Sequence, residues 1–275
     1  MFRQNLYNFL FKTTDVPPSY GVFHLISLVL VLACTVIAVW KLAGASDKAF
    51  RRFAFIIWCI MVVGEIYRET CFSLSLTDGV FSWDYAWYMF PFQLCSSPLY
   101  ILPFAVFLPN GRVRDGFLCF LSLWSFFGGA SVMLYPGDVV CHFLGINIQA
   151  MVHHGAQLLT GVLVAVRCGR RMNLRYYLSG LYVFLGYLAT AMILNVTVYH
   201  YLRANGMNDT FNMMFISPYF PCTLPILSDI HAATSWGVIF PIYVFGFLLI
   251  AFIIFLAQRF LVTRLGRGKE HIEQN

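Results

Sequence analysis

Cys95, His153 and His154 are the residues of this 275-residue chain best suited to nucleophilic chemistry. A thiol becomes a nucleophile when a base takes its proton, and imidazole titrates where that transfer is useful. Gln93, Asn195 or a freed backbone N–H would then stabilise the oxyanion of an acyl-transfer step. Pro91 and Pro98 bracket Cys95 and predict a kink that bares backbone groups beside the thiol. Two further polar sets accompany the thiol. Glu65, Arg68 and Glu69 stand at i, i+3 and i+4, on one helical face. Gln149, His153, Gln157 and Thr160 form a second helical stripe, with His154 beside it.

The elements that must carry these residues are membrane helices. Apolar residues make up 60% of the chain and charged residues 11%, against about 25% charged in a soluble domain. The mean hydropathy of +0.73 points the same way. This excludes a water-soluble globule, a disordered chain and a collagen-like repeat. Apolar runs of ~20 residues also exclude a β-barrel, whose strands alternate over ~10. The fold class expected is therefore all-α, a polytopic bundle of seven transmembrane helices. The spans fall near 21–44, 53–74, 88–108, 115–134, 143–166, 176–202 and 234–262. An interfacial lead occupies 1–20, the seven-helix domain 21–262 and a basic tail 263–275. The first span is longer than a signal-peptide core and reads as a retained helix.

Lysine and arginine set the orientation. Of 18, 14 fall on the first, third and fifth connections and the tail, and 4 on the other side. The bias alternates with every span, which puts the N-terminus outside and the C-terminus in the cytosol. The net charge of +6 is thus a matter of topology, with no nucleic acid implied. In a bacterium the membrane would be the plasma membrane.

At a rise of ~1.5 Å per residue, Arg68, Cys95 and Asn195 lie ~10 Å below the outer surface and His153 ~15 Å below it. The inner halves of the same helices are almost purely apolar. The coincidence predicts a polar pocket open to the outer leaflet, lined by Glu65, Arg68, Gln93, Gln149, Gln157 and Asn195. Each residue also has a structural reading. Glu65–Arg68–Glu69 serves equally as a buried ion-pair staple, serine and glutamine as interhelical hydrogen-bond partners, and a lone buried cysteine as packing. No C-x-x-C or other metal or cofactor motif occurs. Cys71, Cys141 and Cys222 lie near outer boundaries, as free thiols or as candidates for an outer disulfide. The alternative to an enzyme is a proton-coupled transporter or small-molecule carrier using the intramembrane His, Glu and Arg, although no inverted repeat accompanies it. A retinal-type receptor needs a lysine in a late span, and span seven has none.

The same residues carry a resemblance. Phe90-Pro-Phe-Gln-Leu-Cys95, Glu65-x-x-Arg68, Gly128-Gly-Ala-x-x-x-x-Tyr-Pro136, His153-His154-Gly155 and Asn212-Met-Met-Phe-Ile-Ser-Pro218 resemble the YwaF-like membrane proteins, a family similar to eukaryotic transmembrane protein 164. The likeness runs from about 60 to 240. It implies a polytopic fold and, from the eukaryotic relatives, a Cys/His-dependent acyltransferase acting on ether phospholipids, with Cys95 as nucleophile and His153 or His154 as the histidine of the fifth span. In the eukaryotic relatives that cysteine lies in an Asn-Pro-Cys-His segment. Here the place reads Phe92-Gln93-Leu94-Cys95-Ser96, which keeps the cysteine and changes its neighbours.

Overall fold

A computed structural model describes residues 2–272. A short helix, α1 (Phe2–Leu10), precedes α2 (Val22–Leu42) and α3 (Asp47–Ser73). A hairpin follows, β1 (Leu74–Thr77) and β2 (Val80–Trp83). Next come α4 (Ser97–Phe107), α5 (Arg112–Phe120) and α6 (Phe126–Leu134), the last two joined through a π-helical turn at Leu121–Ser125. The chain ends with α7 (Leu144–Cys168), α8 (Leu174–Ala204), α9 (Leu227–Ala233) and α10 (Trp236–Ile272). The last residues of the basic tail, 273–275, lie outside the described residues.

Local chemistry sets these boundaries. Ser46 caps α3 by accepting from the Ala49 N–H at 3.3 Å, and Asn173 caps α8 by accepting from Tyr176 N–H at 3.0 Å. Asp78 and Gly79, at φ 52° and 75°, form the two-residue turn of the hairpin. Positive φ at both central positions matches the strand twist, and Asp-Gly is the pair suited to it.

Among the described residues four helices are long and apolar enough to cross a membrane: Val22–Leu42, Arg112–Leu134, Leu174–Ala204 and Trp236–Val262. Their outward faces are hydrocarbon, with Val36 68%, Ile193 63% and Phe245 68% exposed. That pattern suits a lipid solvent. α3 and α7 have the length but carry the polar residues singled out above. The stretch Leu94–Phe107 is apolar and shorter.

The sequence reading starts the third span at residue 88, and here the structure differs. The chain reaches Gln93 without forming an α-helix, makes a 3-10 turn at Leu94–Ser96 and only then enters α4. Pro91 lacks an N–H and disfavours helical geometry at Phe90. Pro98 lies in the first turn of α4, where a missing N–H breaks no intrahelical bond.

The basic connections gather at one end of the bundle. Arg114 meets Asp47 at 3.0 Å, Arg171 meets Asp115 at 3.1 Å, and Arg167 donates to the Ala45 carbonyl at 3.0 Å. At the opposite end the lead is stitched down. Thr14 N–H donates to the His142 carbonyl, Leu144 N–H to the Lys12 carbonyl, and Tyr67 Oη to the Leu10 carbonyl. The long connection after α8 folds into that end, with Phe211, Met213, Met214 and Ile216 buried.

Candidate functional site

Cys95 occupies the middle of the 3-10 turn that opens α4, and it is half-buried. Three helices fix this turn. From α8, Tyr187 stacks on Phe92 with ring centroids 4.3 Å apart, and its hydroxyl donates to the Gln93 carbonyl at 3.1 Å. From α7, His153 Nε2 lies 3.0 Å from the Cys95 carbonyl oxygen. One turn on, Gln157 Nε2 donates to the Leu94 carbonyl and to Ser125 Oγ, both at 3.2 Å. The π-helical turn places Ser125 for this contact. From α6, Gly128 faces the turn. A Cβ there would stand 3.6 Å from Cys95 N and 3.2 Å from Gln157 Nε2. A Cβ on the adjacent Gly129 would stand 2.8 Å from the His154 carbonyl oxygen. The two glycines let α6 press against α7 and the cysteine turn together.

The hydrogen bonds assign the histidine tautomers. A carbonyl oxygen only accepts, so the neutral His153 ring carries its proton on Nε2 and leaves Nδ1 bare. His154 is the reverse. Its Nδ1 lies 2.7 Å from the Ala150 carbonyl oxygen, which leaves Nε2 bare. Both bare nitrogens, and Gln157 Oε1 with them, are buried without a hydrogen-bond partner among the described residues. Buried polar atoms are nearly always paired, and these three exceptions lie on one stretch of α7, two of them on side chains that hold the cysteine turn.

Glu65, Arg68 and Glu69 lie on the α3 side. Arg68 Nε donates to Glu65 Oε1 at 2.9 Å, and its Nη2 donates to Glu69 Oε1 at 3.2 Å and to the Met89 carbonyl at 2.6 Å. The cluster therefore ties α3 to the irregular segment leading into Cys95. Gln149 packs against Gly64, one residue before Glu65.

Gln93 and Asn195 do something other than the sequence reading expects. Asn195 Nδ2 donates to the Met213 carbonyl at 2.9 Å, and its Oδ1 accepts from Met213 N–H at 2.7 Å. Gln93 Nε2 donates to the Asn212 carbonyl at 2.9 Å, and its Oε1 accepts from Met214 N–H at 2.7 Å. Both amides are closed on the buried loop after α8, whose peptide groups need partners away from water. Met214 and Phe215 there adopt φ 57°, a left-handed conformation rare for such side chains. The expected oxyanion donors are thus loop clamps. α3, α4, α6 and α7 meet around Cys95 together with Tyr187 of α8, while Asn195 of α8 serves the loop.

Residues 19–258 match the family model described as TMEM164 family. The chain belongs to the TMEM164 family. No curated protein and no solved structure matches it. Family membership and the long apolar helices fit an integral membrane protein. The matched stretch of this TMEM164-family chain takes in every contact described around Cys95 and leaves out α1. Among its described residues no group of three or more His, Cys, Asp or Glu could hold a metal ion, and all eight cysteines are free thiols. Sequence reasoning missed Ser125 and the loop-clamping role of Gln93 and Asn195. The loop was signalled only by the apolar run Asn212–Pro218. Gly128 and Gly129 appeared only as part of a resemblance, without the close approach that requires them.

Proposed function

We propose that this chain is a seven-crossing membrane enzyme that moves acyl chains between phospholipids, with Cys95 as nucleophile and His153 as base. Its basic ends would face the cytosol. The gathering of the basic connections at one end supports that orientation and the alternation of seven crossings. The observation that carries the catalytic reading is the His153 ring. It is anchored through Nε2 to the Cys95 carbonyl and leaves Nδ1 as a buried, unpartnered lone pair.

In this reading the imidazole takes the thiol proton and the thiolate attacks the ester carbon of a donor phospholipid. The tetrahedral intermediate collapses, the C–O ester bond breaks, and the departing alkoxide takes the proton back from the imidazolium. That leaves a thioester on Cys95 and a free lysophospholipid. An acceptor hydroxyl then gives its proton to the same nitrogen, attacks the thioester carbon, and restores the thiol as the S–C bond breaks. The positive end of the α4 dipole lies at Cys95 and favours both thiolate and oxyanion. Glu65, Arg68 and Gln157 hold the geometry, and His154 supplies a second bare nitrogen one residue on.

The test is acyl exchange between a labelled diacyl phospholipid and an unlabelled lysophospholipid, with the purified full-length protein in vesicles. Exchange by the wild type and its loss in Cys95→Ser is the expected result. Equal exchange by Cys95→Ser overturns the assignment.

A further inference from the structure

A lipid-shaped feature runs from the basic end toward Phe92 and Tyr187, the stacked pair that holds the cysteine turn. α4, α5 and α8 enclose a groove of about 690 Å³ with an almost wholly hydrocarbon and aromatic lining that includes Phe104, Val113, Phe117 and Val183. It runs along α8 from Ser179 to Thr190, about 16 Å of helix rise. One leaflet of a ~30 Å hydrocarbon core is about that deep. Gly116 opens the groove's floor: a Cβ there would stand 2.9 Å from the Ser179 carbonyl oxygen, so only glycine lets α5 and α8 approach so closely. Gly186 lies on the groove wall with nothing within 4 Å of its absent Cβ, so the space beside it is open.

The groove does not end blindly. At its basic end it shares Arg112, Ser179 and Tyr182 with a polar cleft of about 540 Å³, lined also by Arg171, Arg175 and Asp115. Asp115 pairs with Arg171 at 3.1 Å. Arg112 and Arg175 are exposed and form no ion pair among the described residues. The cleft thus keeps two unneutralised guanidinium groups at the mouth of an apolar channel one leaflet long. Guanidinium pairs recognise phosphate through several donors, and basic pockets between helices on the cytosolic side suit anionic headgroups.

We propose that this composite groove binds one anionic phospholipid of the cytosolic leaflet, its phosphate between Arg112 and Arg175 and an acyl chain along α8 past Gly186. The phosphate end of the groove lies at the basic end, its far end reaches Phe92 and Tyr187 beneath the cysteine turn, and the proposal does not depend on acyl transfer.

The experiment titrates full-length protein in neutral detergent with dioleoyl phosphatidylglycerol, dioleoyl phosphatidylcholine or glycerol phosphate, and reads the thermal midpoint. Phosphatidylglycerol should bind more tightly than phosphatidylcholine, by about fivefold for each of the two arginines. Arg112→Gln with Arg175→Gln should erase that preference. Lys48→Gln with Arg52→Gln, basic residues outside the groove, should keep it. Gly186→Leu should weaken both lipids without unfolding the protein, because the added side chain enters open space. Cys95→Ser should bind like the wild type, which separates this site from the acyl-transfer reading. Retention of the anionic preference by the Arg112/Arg175 variant overturns the proposal. Its equal loss in the Lys48/Arg52 variant does so too, since it would reflect overall charge. Stabilisation by glycerol phosphate as strong as that by the lipid would assign the cleft to a free phosphate and overturn the lipid assignment.

Discussion

His153 meets Cys95 through the cysteine's carbonyl oxygen, at 3.0 Å from Nε2. The bond fixes both the ring's tautomer and its position, and it leaves the opposite nitrogen bare in a buried setting. A purely structural histidine normally has both nitrogens satisfied. The arrangement therefore distinguishes the two adjacent histidines, since the anchor of His154 is the Ala150 carbonyl in its own helix.

That difference predicts unequal variants. His153→Ala should lower acyl exchange about 10²–10⁴-fold, the usual contribution of a positioned base. His154→Ala should cost less. Rates of exchange at saturating lipid, compared between the two folded variants, check the ranking.

Asn195→Leu should destabilise the protein without touching the cysteine. It orphans Met213 N–H in a buried loop and removes one of two donors from Met213 C=O, which keeps Ile216 N–H at 3.3 Å. The orphaned N–H costs about 1–3 kcal/mol. The thermal midpoint should fall clearly, and Asn195→Asp, which keeps the acceptor, should fall less.

The paired glycines of α6 should respond differently. At Gly129 a Cβ would stand 2.8 Å from backbone, which can yield only if the helices separate. Gly129→Ala should therefore cost about 1–3 kcal/mol as overpacking does. At Gly128 the nearest atom is the movable Gln157 amide at 3.2 Å, so Gly128→Ala should be milder in stability. Because that amide anchors the Leu94 carbonyl, it should still slow exchange.

Asp47, just before the second span, gives a pH prediction. Burial alone would raise its carboxyl, but hydrogen bonds from Arg51 and Arg114 outweigh it and hold the group below its ordinary 3.8. The folded pKa is depressed, so its stabilisation is present above the unfolded value and is lost as pH falls through the folded one. Wild type should lose stability below about pH 4, and Asp47→Asn should show a shallower acid slope from a lower starting point. Thermal midpoints between pH 3 and 7 measure this.

Much of this was legible in the sequence for physical reasons. Long apolar runs between basic clusters located the helices, because a bilayer demands both. The stripe through His153 and Gln157 forms one face of α7, and both side chains reach the cysteine turn from it. What failed was long-range. Nothing local to Gln93 or Asn195 says that their amides close on a loop after α8. The hairpin at Leu74–Trp83 is signalled by Asp78-Gly79, but each strand is only four residues long, too short for its alternation to stand out beside the apolar runs. The third helix was begun too early because hydropathy counts residues 88–93 as span, whereas Pro91 keeps them out of helix.

The most direct measurement of the catalytic reading is the mass of the Cys95 peptide after incubation with a phospholipid bearing an isotope-labelled acyl chain. A hydroxylamine-labile label on Cys95 in the wild type, diminished in His153→Ala and absent from Cys95→Ser, is the predicted result. Exchange of acyl chains with no label on Cys95, and undiminished in Cys95→Ser, would contradict it.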